Sequence, residues 1–135
     1  MNSASYTVLD ELYRISKLLD TDAGAVEFAV LREGISNQIE DIESDVLDFK
    51  RKVLSDCDDV YGIVAGIEKI RMCSSARDSI MSVVEKAQKD LYSCISILDD
   101  AVRSINRARS ADSAKRASSY LYDAHQCLSE ALRLL

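Results

Sequence analysis

Residues 80–108 read IMSVVEKAQKDLYSCISILDDAVRSINRA. Ile80, Val84, Ala87, Leu91, Cys94, Leu98, Ala101, Ile105 and Ala108 step by four and three residues without a slip. Those steps are the two apolar points of a heptad, so all nine fall on one stripe of an α-helix. A strand would need alternation with period two, and nothing of the kind occurs here. The stretch therefore predicts a long amphipathic helix over 76–109.

Downstream, the same register would bring Asp112 and Lys115 into the stripe. Instead Ala114, Ala117, Leu121, Ala124, Leu128, Ala131 and Leu135 start a new stripe two residues out of phase. The slip lies beside Ser110-Ala111-Asp112 and marks a turn before a last helix over 113–134. Its alanine-rich seam implies close approach to a neighbouring helix.

Upstream, Cys73-Ser74-Ser75 reads as a turn, with Ser75 and Asp78 at cap-like spacing. Before it, Ile39, Val46, Val53, Val60 and Ile67 occupy five successive copies of one heptad position. Ile35, Ile42, Phe49, Ile63 and Ile70 occupy the other, with Asp56 interrupting them. This predicts one helix over 23–72. A break at 55–58 would divide it in two and give five helices instead of four, but the register is kept across Asp56, which favours continuity. Val8, Leu12, Ile15 and Leu19 predict a first helix over 6–20, followed by turn chemistry at Asp20-Thr21-Asp22.

The composition agrees. The 135-residue chain has no proline and four glycines, with 47% hydrophobic and 30% charged residues. Proline and glycine are the strongest helix breakers. One all-α domain follows, an elongated antiparallel helical bundle of coiled-coil character. Gly62 and Gly66 stand inside the second helix, where each costs roughly 1 kcal/mol against alanine. A packing purpose or a bend is expected there.

Laid side by side with tight turns, the third helix covers residues 40–72 of the second and the fourth covers 87–110 of the third. The first helix then lies along 23–39. The bundle is expected to be three helices thick at one end and nearer two at the other. Completion by another chain, most simply a second copy, is expected through Val8, Leu12, Leu19, Phe28, Ile35, Ile42 and Phe49.

The net charge is −6, with 14 acids against 6 bases in residues 1–59 and 9 against 11 in residues 60–135. Two patches stand out. Glu40, Asp41, Glu43, Asp45 and Asp48 form an acidic run on the outward side of the second helix. This is either a solvated face or a set of carboxylates presented to a basic protein, as a DNA-mimicking inhibitor would do. Arg103, Arg107, Arg109, Lys115 and Arg116 form a basic patch across the last turn. It is suited to phosphates or to an acidic partner, including the acidic half of a second copy.

Little points to catalysis. His125 is the only histidine, and Tyr122 stands three residues before it, so the Glu-x-x-His pairs of a di-iron bundle are missing. A partly exposed structural histidine is the better reading. Cys57, Cys94 and Cys127 fall at nearly one height of the bundle. Three thiols near His125 suit zinc or disulfide exchange, while buried cysteines used as small apolar residues account for the same pattern. No catalytic, cofactor-binding or metal residue is assigned and no cofactor is expected.

The N-terminus has no basic region followed by an apolar stretch, and no run suits a membrane span, so a cytoplasmic protein without a membrane partner is expected. The sequence thus predicts a non-enzymatic interaction module (adaptor, scaffold, chaperone or inhibitor) that self-associates as a homodimer and binds a protein. The alternatives are a nucleic-acid-associated regulator using the basic patch and an acidic DNA mimic.

Overall fold

The computed structural model describes residues 3–20 and 25–135, with side chains for 7–20 and 28–135. Thr21 and Asp22, read as turn and cap residues, lie outside the described residues. Among those described there are four α-helices and no strand: α1 (Ser3–Leu19), α2 (Ala25–Lys69), α3 (Ser74–Arg109) and α4 (Ala114–Leu134). α2 runs through Asp56 without a break. Its 45 residues amount to about 67 Å of helix at ~1.5 Å per residue.

Local chemistry sets the ends. At the start of α4, the Ser113 hydroxyl accepts from the Arg116 backbone N–H at 3.2 Å, satisfying one of the unpaired donors of the first turn. α3 ends without a glycine. Ser110 N–H donates to the Asn106 carbonyl and Ala111 N–H to that of Ala108, both at 3.3 Å. Arg107 and Arg109 place positive charge at that C-terminus, where the helix dipole favours it. At the start of α3 the cap position is Cys73, which makes no side-chain capping bond. Ser75, the expected cap, lies inside the first turn, because α3 begins two residues earlier than the spacing suggested.

Each helix packs on its chain neighbours, and α1 closes the ring by packing on α4 more extensively than on α2. The result is a helical bundle of four antiparallel neighbours. Its core is continuous: Leu12, Ile15 and Leu19 from α1, Ile42, Val46 and Val53 from α2, Cys94, Leu98 and Ile105 from α3, and Leu121 and Leu128 from α4 are all essentially inaccessible. Three links fix the levels. Lys50 of α2 pairs with Asp99 of α3 at 2.5 Å, Ser16 of α1 bonds Ser118 of α4, and the Cys94 thiol of α3 reaches the Ala131 carbonyl of α4 at 3.7 Å.

These levels correct the expected division of the bundle. α1 does not take a part of α2 that α3 fails to reach. Arg32 of α2 donates to the Arg109 carbonyl at the end of α3 at 2.6 Å, while Val8 of α1 shares a cleft with Ile42 of α2. All four helices therefore overlap at one end, because α4 returns beside α1 and seals the layer. The end left two helices thick is the opposite one, around the α2–α3 turn.

The residues expected to be covered by another chain are covered within this one. Val8, Leu12, Leu19, Phe28, Ile35 and Ile42 are buried within the chain itself, and Phe49 is half-buried against the same core. Gly62 and Gly66 have open space where a Cβ would stand, and no glycine among the described residues has a positive φ. Nothing among the described residues packs closely against them.

Candidate protein-interaction surface

The burial of two heptad lines changes along their length. On α2, Ile35 and Ile42 are buried, Phe49 and Asp56 are half-buried, and Ile63 and Ile70 are each 53% exposed. On α3, Ala108, Ala101 and Cys94 are buried, whereas Ala87 is exposed and Ile80 is 42% exposed. Register does not change along either line; cover does. α4 ends beside the 91–94 turn of α3, and beyond that level neither α1 nor α4 lies over the α2–α3 pair.

The other seam of the pair remains closed, because α2 and α3 face each other along it. Val60, Val64, Met81 and Val84 are half-buried there. Between residues 58 and 90, Ile67 is the one buried side chain among the described residues. Exposed apolar groups gather instead: Tyr61 at 67%, Val83 at 71%, and the isoleucines above. Single exposed apolar residues are ordinary, whereas these continue lines that are buried elsewhere in the chain.

The two charged patches meet inside the molecule. Arg109 donates to the Glu43 carboxylate, so basic and acidic patches are joined within one chain. Asp48 pairs with Arg51 at 2.5 Å, Arg103 with Asp100 at 2.6 Å and Arg116 with Asp112 at 3.5 Å. Glu40, Asp41 and Asp45 are exposed, as are Arg107 and Lys115. Arg107, Arg116 and Tyr120 line an open depression of about 190 Å³ at the α3–α4 turn, with Asp112 in its wall.

The thiols do not assemble as a trio. No group of three or more His, Cys, Asp or Glu side chains suited to a metal ion occurs among the described residues. All four cysteines are free. Burial, with Cys57 nearby, pushes the Cys94 thiol up to about 11. Burial and then Asp58 and Asp56 raise Cys57, while burial and then Asp100, Asp123 and Glu130 raise Cys127. Cys73, exposed at the α2–α3 turn, is shifted down chiefly by a hydrogen bond with the Ser75 hydroxyl.

His125 is half-buried against two tyrosines. Its ring lies 5.6 Å from Tyr13 across the α1–α4 contact and 6.0 Å from Tyr122, near-parallel to the latter. Burial lowers its pKa, with Asp10 opposing. Its buried Nδ1 has no hydrogen-bond partner among the described residues.

Three depressions, of about 110, 190 and 230 Å³, are shallower than the roughly 300 Å³ from which small-molecule sites usually start. No helix of the described residues is long and apolar enough to cross a membrane. Compared with protein-family models, with curated proteins and with solved structures, the chain matches none.

Proposed function

We propose that the chain is a non-enzymatic, cytoplasmic protein-interaction module that binds protein through the uncovered half of the α2–α3 face. One observation carries this reading: Ile63, Ile70 and Ile80 are exposed on heptad lines that are buried further along, at Ile35 and Ile42 of α2 and at Cys94, Ala101 and Ala108 of α3. The four-helix half acts as a stable base and the two-helix half as the presenting surface. Specific interfaces place such apolar rows at the centre and charges at the rim. Asp58, Asp59, Lys69 and Arg71 are exposed along the same stretch and are the charges such a rim would use. Free thiols on every cysteine suit a reducing compartment.

The nucleic-acid alternative is less well supported, because Arg103, Arg109 and Arg116 already hold carboxylates. The DNA-mimic alternative weakens for the same reason, since Glu43 and Asp48 hold arginines.

Affinity capture from the source cells, run in parallel with the native chain and an Ile63→Asp/Ile80→Asp variant, tests the reading. A protein retained by the first and lost by the second is expected. Equal retention by both, or a native chain that stays a 15.0 kDa monomer with nothing bound, overturns it.

A further inference from the structure

We infer that the depression at the α3–α4 turn binds one phosphate group, held between Arg107 of α3 and Arg116 of α4. The site lies at the opposite end of α3 from the α2–α3 turn, so it stands or falls independently of the interaction reading above.

The sequence concentrates positive charge here. Residues 103–116 hold five bases against one acid, Asp112, in a chain of net charge −6. Two of the five are engaged elsewhere: Arg103 pairs with Asp100 at 2.6 Å and Arg109 with Glu43. Arg107 lines the depression and has no ion-pair partner among the described residues. Arg116 lines it too, and its ionic contact with Asp112 is long, at 3.5 Å, between side chains 68% and 74% exposed. An exposed pair of this kind contributes little and opens readily.

The fold brings the two guanidinium groups to one hollow. The chain reverses between them through Ser110, Ala111 and Asp112, so each comes from a different helix. The lining is anchored, since Ala111 is buried and Tyr120 is half-buried against the core. Ser110 donates its N–H to the Asn106 carbonyl, and its hydroxyl lies within reach of the Asn106 and Arg107 carbonyls at 3.3 and 3.5 Å. These last carbonyls of α3 are thereby satisfied. The donors left in the lining are the two guanidinium groups and the Tyr120 hydroxyl, which has no hydrogen-bond partner among the described residues.

That donor set suits a phosphate, whose oxygens accept several charge-assisted bonds at once from forked guanidinium groups. A volume of about 190 Å³ has room for one such group and lies below the range of larger ligands. A phosphate monoester carries about −1.5 to −2 charges at neutral pH against the single charge of Asp112. It therefore displaces Asp112 from Arg116, and the exposed carboxylate turns outward. A nucleic-acid strand is a poorer fit, because it needs a row of free cations and Arg103 and Arg109 are held. The phosphate is either the free inorganic ion or a phosphorylated side chain of another protein, which present the same oxygens.

Nuclear magnetic resonance titration of the isotope-labelled chain tests the site, at constant ionic strength so that screening does not change. The probes are inorganic phosphate, a short phosphoserine peptide and its unphosphorylated form. The expected result is a saturable shift of the Ala111, Asp112 and Arg116 amide signals, with a midpoint of about 1 mM or lower. Arg107→Gln and Arg116→Gln each raise that midpoint at least ~10-fold, the loss of one charge-assisted contact. Arg103→Gln, the same charge change outside the hollow, raises it less than about threefold. Asp112→Asn frees Arg116 and lowers the midpoint at least about threefold, whereas Asp100→Asn does not.

A phosphoserine peptide that binds more tightly than the ion, with no binding of its unphosphorylated form, identifies a phosphorylated protein as the source. Any other ranking among binding probes identifies the free ion. Absence of a saturable shift with both phosphate probes overturns the site. So does equal weakening by Arg103→Gln and Arg107→Gln, or an Asp112→Asn variant that binds no more tightly than the native chain.

Discussion

Ser16 and Ser118 exchange hydrogen bonds across the α1–α4 contact: the Ser16 hydroxyl donates to the Ser118 carbonyl at 3.0 Å, and the Ser118 hydroxyl to the Ser16 carbonyl at 2.7 Å. Both side chains are buried. Ser16→Ala or Ser118→Ala is expected to cost about 1 kcal/mol, the ordinary worth of such a bond. Ser118→Leu is expected to cost about 1–3 kcal/mol through overpacking, and urea unfolding measures all three. Nothing in the sequence marked these serines, since the chain has many and only the meeting of two helices makes this pair special. His125 titrates in the same contact. Its folded pKa lies below the unfolded value near 6.5, so its contribution is full above pH 6.5 and lost as pH falls through the folded value. The native chain is expected to lose stability as pH falls below 6.5, and His125→Gln to lose less. Among the thiols, Cys73 is expected to react first with a disulfide reagent and Cys94 last, because the thiolate is the reacting form.

At the scale of the helix, α3 contains its own control. Leu98 and Ile80 both lie on its apolar stripe, yet Leu98 is inaccessible and Ile80 is 42% exposed. Leu98→Ala is expected to cost about 2–5 kcal/mol, the range for buried leucines, and Ile80→Ala well under half of that in the monomer. Equal costs in thermal unfolding would mean that Ile80 is covered within the chain. This comparison also separates what was legible in the sequence from what was not. The steps of four and three identify which side of α3 is apolar, and the phase slip at Ser110-Ala111-Asp112 locates the turn before α4. Which helix covers that side is a tertiary property, set by the return of α4 beside α1. Periodicity does not contain it, so Val8, Leu12 and Leu19 read as an interface when they are core. The cap at Ser75 was misplaced for a related reason. Capping patterns compete with the geometry of the whole turn, and the turn here puts Cys73 at the cap position.

The whole molecule divides into a half in which four helices bury one core and a half in which two helices bury little beyond Ile67. Amide hydrogens of α2 and α3 near residues 60–85 are therefore expected to exchange faster than those near 35–50 and 95–108, a gradient that association would flatten. The uncovered face can be observed directly because the chain has no tryptophan. Ile80→Trp places a single reporter on that face, and its emission maximum shifts to the blue when protein covers it. Titration of this variant from dilute to concentrated solution, with source-cell extract added in a second series and the extract's own tryptophan emission subtracted against the native chain, is the most direct test. The expected result is a blue shift in at least one series that disappears when Ile63→Asp is added. Emission that stays solvent-like throughout both series would contradict the assignment of this face as an interaction surface.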